Sequence, residues 1–137
     1  MAANTSPIFT KQPAFGQDKL LTGNTAKDAA SGTVYTVFSA DATNGSRVDK
    51  AILQPLGTNV ATVVRLFINN GGATTTATNN TMIKDVSMAA TTNSETAGVG
   101  NTEVALNLPL KPGYKILATI GTTVAAGINC TIIGGDY

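Results

Sequence analysis

The feature that most constrains this chain is a period of two. Apolar residues recur at every second position in short runs, and no long stretch carries them at i, i+3, i+4 and i+7. Successive side chains of a strand point to opposite faces, so this spacing specifies half-buried strands. In 102–108, Val104, Leu106 and Leu108 alternate with Glu103, Ala105 and Asn107. In 128–134, Ile128, Cys130 and Ile132 do the same. The abundant Thr, Val, Ile and Asn favour strands and turns over helix.

Turn signals divide these runs at fairly regular intervals. TVYTVFSA (33–40) is the first clear strand, and a second runs from Arg47 to Leu56 with Val48, Ile52 and Leu56 expected on one face. Between them, Asn44-Gly45 suits the left-handed residues of a tight turn, which predicts a hairpin. VVRLFIN (63–69) is apolar on both faces apart from Arg65 and is expected to be a central strand. Met82–Met88 alternates, and Pro109 is expected to end the strand that begins at Thr102. Lys111-Pro112-Gly113-Tyr114 has the Pro and Gly of a type II turn before the strand Tyr114–Ile120. Segments 69–80 and 89–101 lack hydrophobic anchors and are expected to be long loops, the first a mobile one. Gly71-Gly72 and Gly134-Gly135 read as turn glycines.

The count is about seven to eight strands, which predicts an all-β fold: an antiparallel β-sandwich of jelly-roll type. Residues 17–137 would form the single β-sandwich domain, with a short strand near Lys19–Thr22. Residues 1–16 would form an extended N-terminal arm. There, Pro7 and Pro13 bracket the pair Ile8-Phe9, and each lacks a backbone donor, which suits an arm or a sheet edge. Pro7, Ile8, Phe9, Pro13 and Phe15 are the residues of this arm expected to contact another subunit.

The chemistry of the chain is sparse. With 137 residues it is long enough to bury a core without a staple. It has no histidine, hence none of the commonest general base and metal ligand. Its one cysteine, Cys130, alternates with isoleucines and is expected to be a small core residue. The acidic residues are scattered singly, with no calcium-loop spacing and no paired carboxylates in apolar settings. P-loop, GxGxxG and GxSxG signatures are missing. We therefore expect no enzyme, no cofactor and no metal. Nine basic and eight acidic residues leave a net charge of +1, which offers nucleic acid no basic field. No apolar run reaches the roughly 20 residues of a membrane helix, so no membrane partner is expected. The opening residues lack the basic and apolar regions of a signal peptide, and a lone cysteine fits synthesis in a reducing compartment. Four N-x-[ST] sequons, at Asn4, Asn44, Asn79 and Asn129, are no more than a chain rich in Asn and Thr produces by chance.

Charged residues make up only 12% of the chain, against roughly 25% in ordinary globular proteins. A Thr, Ser, Asn and Gly surface can be buried against a neighbour without desolvating charge. Arg65 admits two placements: a buried or interface ion pair, or the solvent face of its strand. The solvent or interface placement is expected, which makes it a candidate interface charge.

Several segments together carry a resemblance: SPIFTKQP, TGNTAKD, GTVYTVFSADATNGSRVDKAILQPLGT, VVRLFINNG, LPLKPGYKILATIG and the final GGDY. The chain is similar to small structural proteins encoded in tailed-bacteriophage genomes, least so at 69–101. The resemblance implies a bacteriophage virion component, synthesised in the host cytoplasm and placed on the capsid surface. Its partners would be the major capsid protein and itself, as a homotrimer at local threefold positions. The expected function is a capsid decoration or cement protein that clamps adjacent capsid subunits. A tail, collar or fibre-associated protein with a host-attachment role is the alternative, and a carbohydrate-binding module a more distant one.

Overall fold

The computed structural model describes residues 9–137. Eight strands follow one another: β1 (Gln12–Leu20), β2 (Tyr35–Ser39), β3 (Ser46–Pro55), β4 (Thr62–Asn69), β5 (Asn80–Met88), β6 (Thr102–Leu110), β7 (Lys115–Ile120) and β8 (Ile128–Asp136). The only helical element among the described residues is a 3-10 turn, Ala77–Asn79. The strands form two four-stranded antiparallel sheets, β1-β8-β3-β6 (sheet A) and β2-β7-β4-β5 (sheet B). The all-β sandwich is the fold that the alternation implies. Its pairings are nested: β1 with β8, β2 with β7, β3 with β6 and β4 with β5.

The inner faces meet in one core. Sheet A contributes Leu20, Val48, Ala51, Leu53, Val104, Leu106, Ile128, Cys130 and Ile132, and sheet B contributes Val64, Leu66, Ile116, Ala118 and Ile120. Each fully buried Val, Leu or Ile side chain among them stabilises the fold by about 1.5–3 kcal/mol. Burial pushes the Cys130 thiol up to about 12, with the Asp18 carboxylate adding to the shift. At the β1/β2 side, the sheets come so close that a Cβ on Gly16 would stand 2.0 Å from the carbonyl oxygen of Val37. Only glycine permits that approach.

Several local expectations change. The hairpin across Asn44-Gly45 does not form: β2 pairs with β7 in sheet B, and β3 with β6 and β8 in sheet A. The turn itself is present, but it carries the chain from one sheet to the other. The Asp41 carboxylate accepts the Thr43 and Asn44 N–H groups, and Gly45 alone adopts positive φ, +80°. Only β4 and β5 are both consecutive and paired. Val48, Ile52 and Leu56 do not share a face, because the register shifts between Val48 and Lys50. A bulge inverts the alternation, so Ala51 and Leu53 turn inward and Ile52 outward. Pro109 does not end β6, which continues to Leu110; it is tolerated because β6 is an edge strand. Gly134 and Gly135 lie within β8 rather than in a turn, and a Cβ on Gly134 would stand 2.0 Å from the Arg47 carbonyl oxygen. The Lys111–Tyr114 turn closes as expected, with Gly113 at φ +76° and Tyr114 N–H donating to Lys111 O at 3.1 Å.

The β4–β5 connection lacks an apolar anchor but has polar ones. The Asn69 side chain accepts Gly71 N–H at 2.8 Å and donates to the Asn80 side chain at 2.8 Å; Asn70 pairs with Asn79. Short amide side chains supply the contacts here that hydrophobic residues supply elsewhere.

Candidate interaction surface

The outer faces of the two sheets differ, and that difference defines the site. On sheet B, inward Val64 and Leu66 place Arg65 and Phe67 on the outside of β4, and inward Ile116 and Ala118 do the same for Leu117 and Thr119 on β7. These outer residues are nevertheless buried. The chain between β1 and β2, residues 21–34, folds over them as a strap. Ala29 and Val34 pack on Phe67 and Leu117. Polar contacts fix the rest: Asn24 N–H donates to Ile120 O at 2.6 Å, and the Asn24 amide donates to Ser31 O and Thr33 O. Tyr35 Oη accepts the Leu21 and Thr22 N–H groups.

Sheet A carries no such strap among the described residues. Its outer face is read in rows of register partners. Phe15, Ile133, Lys50 and Ala105 form one row, and Gln17, Thr131, Ile52 and Glu103 the next. Lys19, Asn129 and Gln54 follow. Phe15 is 68% exposed, and Phe9, just ahead of the strand, is 75% exposed. Lys50 and Glu103 pair at 3.1 Å, so the centre of the face is close to neutral. Toward its end, Gln17, Asp18, Lys19, Asn129 and Thr131 line a polar depression of about 330 Å³.

The candidate residues divide accordingly. Pro7 and Ile8 lie outside the described residues. Phe9 is exposed ahead of the sheet. Pro13 and Phe15 are not in a free arm; they belong to β1, an edge strand nine residues long that pairs with β8 along its whole length. Of the expected arm, residues 12–16 thus belong to the sheet, and the expected short strand near Lys19 is the end of this longer one. The two prolines masked β1, since a proline is at home on an edge.

Arg65 takes the buried placement and not the expected solvent or free-interface one. It is 9% exposed, its Nη1 donates to Asn24 O at 3.2 Å, and its Nε lies 3.9 Å from Asp85 Oδ1. Its role is to hold the strap. Reading the strand alone missed this because the cover comes from residues about forty positions earlier.

The described residues hold no cluster of three potential metal ligands, and no helix among them is long and apolar enough to cross a membrane. No family model matches the chain, and no curated protein matches it. Two solved structures, of infectious bursal disease virus strains Gx and Gt, align with 97% and 98% of this chain at 12% and 13% identity. Each TM-score is 0.31, and this chain spans 36% of either of those chains. A likeness at that level assigns no role to any residue here.

Proposed function

We propose that this chain is a non-catalytic structural protein of a virus particle, and more specifically a decoration or cement protein on the capsid of a tailed bacteriophage. It docks on the major capsid protein through the outer face of sheet A and the edge strand β1, with residues 1–11 extending the contact. The observation that carries this reading is the face bearing Phe15, uncovered among the described residues, in a protein whose own chain covers β4 and β7 on the other sheet. An exposed aromatic on a rigid strand, amid neutral polar groups, has the makeup of an interface anchor and its surround.

Three further observations support the reading. The surface has few charges to desolvate. The nested pairing of the eight strands, which we read as jelly-roll winding, gives a rigid body that tolerates variable loops. The resemblance of SPIFTKQP, VVRLFINNG and LPLKPGYKILATIG to phage structural proteins supplies the kind of assembly. Docking as a homotrimer would multiply a modest single contact into firm attachment.

The test is co-sedimentation with purified capsids. Phe15→Ala should weaken binding at least about tenfold, equivalent to roughly 1.4 kcal/mol. Deletion of residues 2–9 should weaken it further while leaving β1 whole. Binding unchanged in both variants sinks the reading. Copy number in the intact particle separates the shell from the alternative of a tail, collar or fibre protein: hundreds of copies mean shell, a dozen or fewer mean tail.

A further inference from the structure

Each sheet of the sandwich has two edge strands, and an edge strand with free backbone groups is a template for pairing with another chain. Three of the four edges here are closed by features of the backbone. β1 and β2 flank one side of the sandwich and approach so closely that a Cβ on Gly16 would stand 2.0 Å from Val37 O. Their backbones shield each other there, while the outer-face side chains of β1 stay free. β2 is also only five residues long and carries a register shift. On the opposite side, β6 is interrupted. Leu106 and Asn107 stand across from the single residue Asp49, Asn107 takes φ +51°, and Pro109 has no N–H to offer.

The fourth edge, β5, is different. It is nine residues long, contains neither Gly nor Pro, and carries Met82, Ile83, Val86 and Met88. Its one irregularity is a register shift at Ile83. Its middle residue is Lys84. The register partner of Lys84 is Leu66, a fully buried core residue, and the next partners on that face are Val86 and Val64. Register partners project to one face of a sheet, so Lys84 stands on the core-facing side of β5. It is nevertheless exposed, because no strand lies beyond β5 in sheet B. Its ammonium makes no ion pair among the described residues, so no such bond within the fold accounts for a charge at this position.

We infer that Lys84 is a guard that keeps copies of this chain from joining edge to edge through β5. A second β5 laid against the first would extend sheet B into its neighbour and carry Lys84 into the apolar layer beneath the joined sheets. A desolvated ammonium without a partner is strongly unfavourable there. The adjacent acid cannot relieve it: Asp85 projects to the other face, as the register partner of Arg65. An inward-pointing charge on an edge strand therefore leaves the folded monomer undisturbed and acts only against the wrong association. The guard is directed at a second copy of this chain and does not depend on what the outer face of sheet A binds.

The test is analytical ultracentrifugation of the full-length protein, with urea unfolding as the check on the fold. Lys84→Val gives β5 an apolar core-facing side, and its particle mass should rise with concentration to at least double that of the wild type. Amide exchange of the associated variant should show new protection along residues 80–88. Lys84→Glu keeps a charge, of opposite sign, at the same place and should sediment as the wild type does. Both variants should unfold at the wild-type urea midpoint. Lys84→Val holding the wild-type mass at every concentration overturns the proposal. Association without new protection at 80–88, or association of Lys84→Glu as well, overturns it too. A urea midpoint lowered in both variants would show that Lys84 serves the fold instead.

Discussion

Two sheet faces with the same geometry meet different fates in this protein. The outer face of sheet B carries Arg65, Phe67, Leu117 and Thr119, all buried beneath residues 21–34. The outer face of sheet A carries Phe15, Ile52 and Ile133 among Gln, Thr and Asn, with no cover from the described chain. An aromatic ring on the first face stabilises the fold. A ring of the same kind on the second does nothing for the fold and is available to a partner. The contrast teaches that burial on an outer face is decided by the connections, and that the face left open is where function is to be sought.

The sharpest way to break the comparison is to truncate the two rings. Phe67→Ala should cost about 3–5 kcal/mol in urea unfolding, because it opens a cavity under the strap. A cost under about 1 kcal/mol would mean that the strap does not seal sheet B. Next comes the ion at the centre of the covered face. Arg65→Ala should cost about 3 kcal/mol, leaving Asn24 O without its donor, whereas Asp85→Ala on the exposed rim should cost under about 1 kcal/mol. Equal losses would show that the pair, not the strap contact, matters.

Asn24→Ala should cost about 1–3 kcal/mol and speed amide exchange at Asn24 and Ala26, with the β8 amides of sheet A changing only through global stability. Uniform loss of protection would show that the strap has no separate opening. The core between the faces gives a pH signature. Folding raises the Cys130 pKa from 9.0 to about 12, so its thiol favours the folded state fully below pH 9. Above pH 9 the unfolded chain releases the proton first, and stability falls by up to about 1.4 kcal/mol per unit until about pH 12. Comparison with Cys130→Ala over that range isolates this contribution; parallel curves would refute it. The smallest effect is the most telling: Phe15→Ala should shift stability by less than about 0.5 kcal/mol while weakening capsid binding.

Much of the fold was legible because a strand announces itself locally. The alternation in β6 and β8 and the doubly apolar run of β4 each follow from a few neighbouring residues. Where the reading slipped, the cause was a distant contact or a bulge. The turn at Asn44-Gly45 is visible in sequence, but whether the next strand pairs with the last one or crosses to the facing sheet depends on β6, β7 and β8. The bulge at Asp49 inverts the pattern of β3 without leaving a mark in composition. The candidate surface was half legible. Phe9, Pro13 and Phe15 stood out, but Ile52 and Ile133 could not be added without the register.

The amino-acid sequence by itself determined that this chain folds as β-structure, where most of its strands lie, though not β1, and that it lacks histidine and offers a neutral polar surface. Those properties reside in single residues and in a period of two. Only the tertiary structure decided that Phe67 is covered, that Phe15 is open, and that Arg65 anchors a strap. The physical reason is that the cover is a segment without strong periodicity, residues 21–34, held by single side chains whose partners lie far away in the sequence. Which face it covers is settled only when Asn24, Ile120 and Arg65 come together.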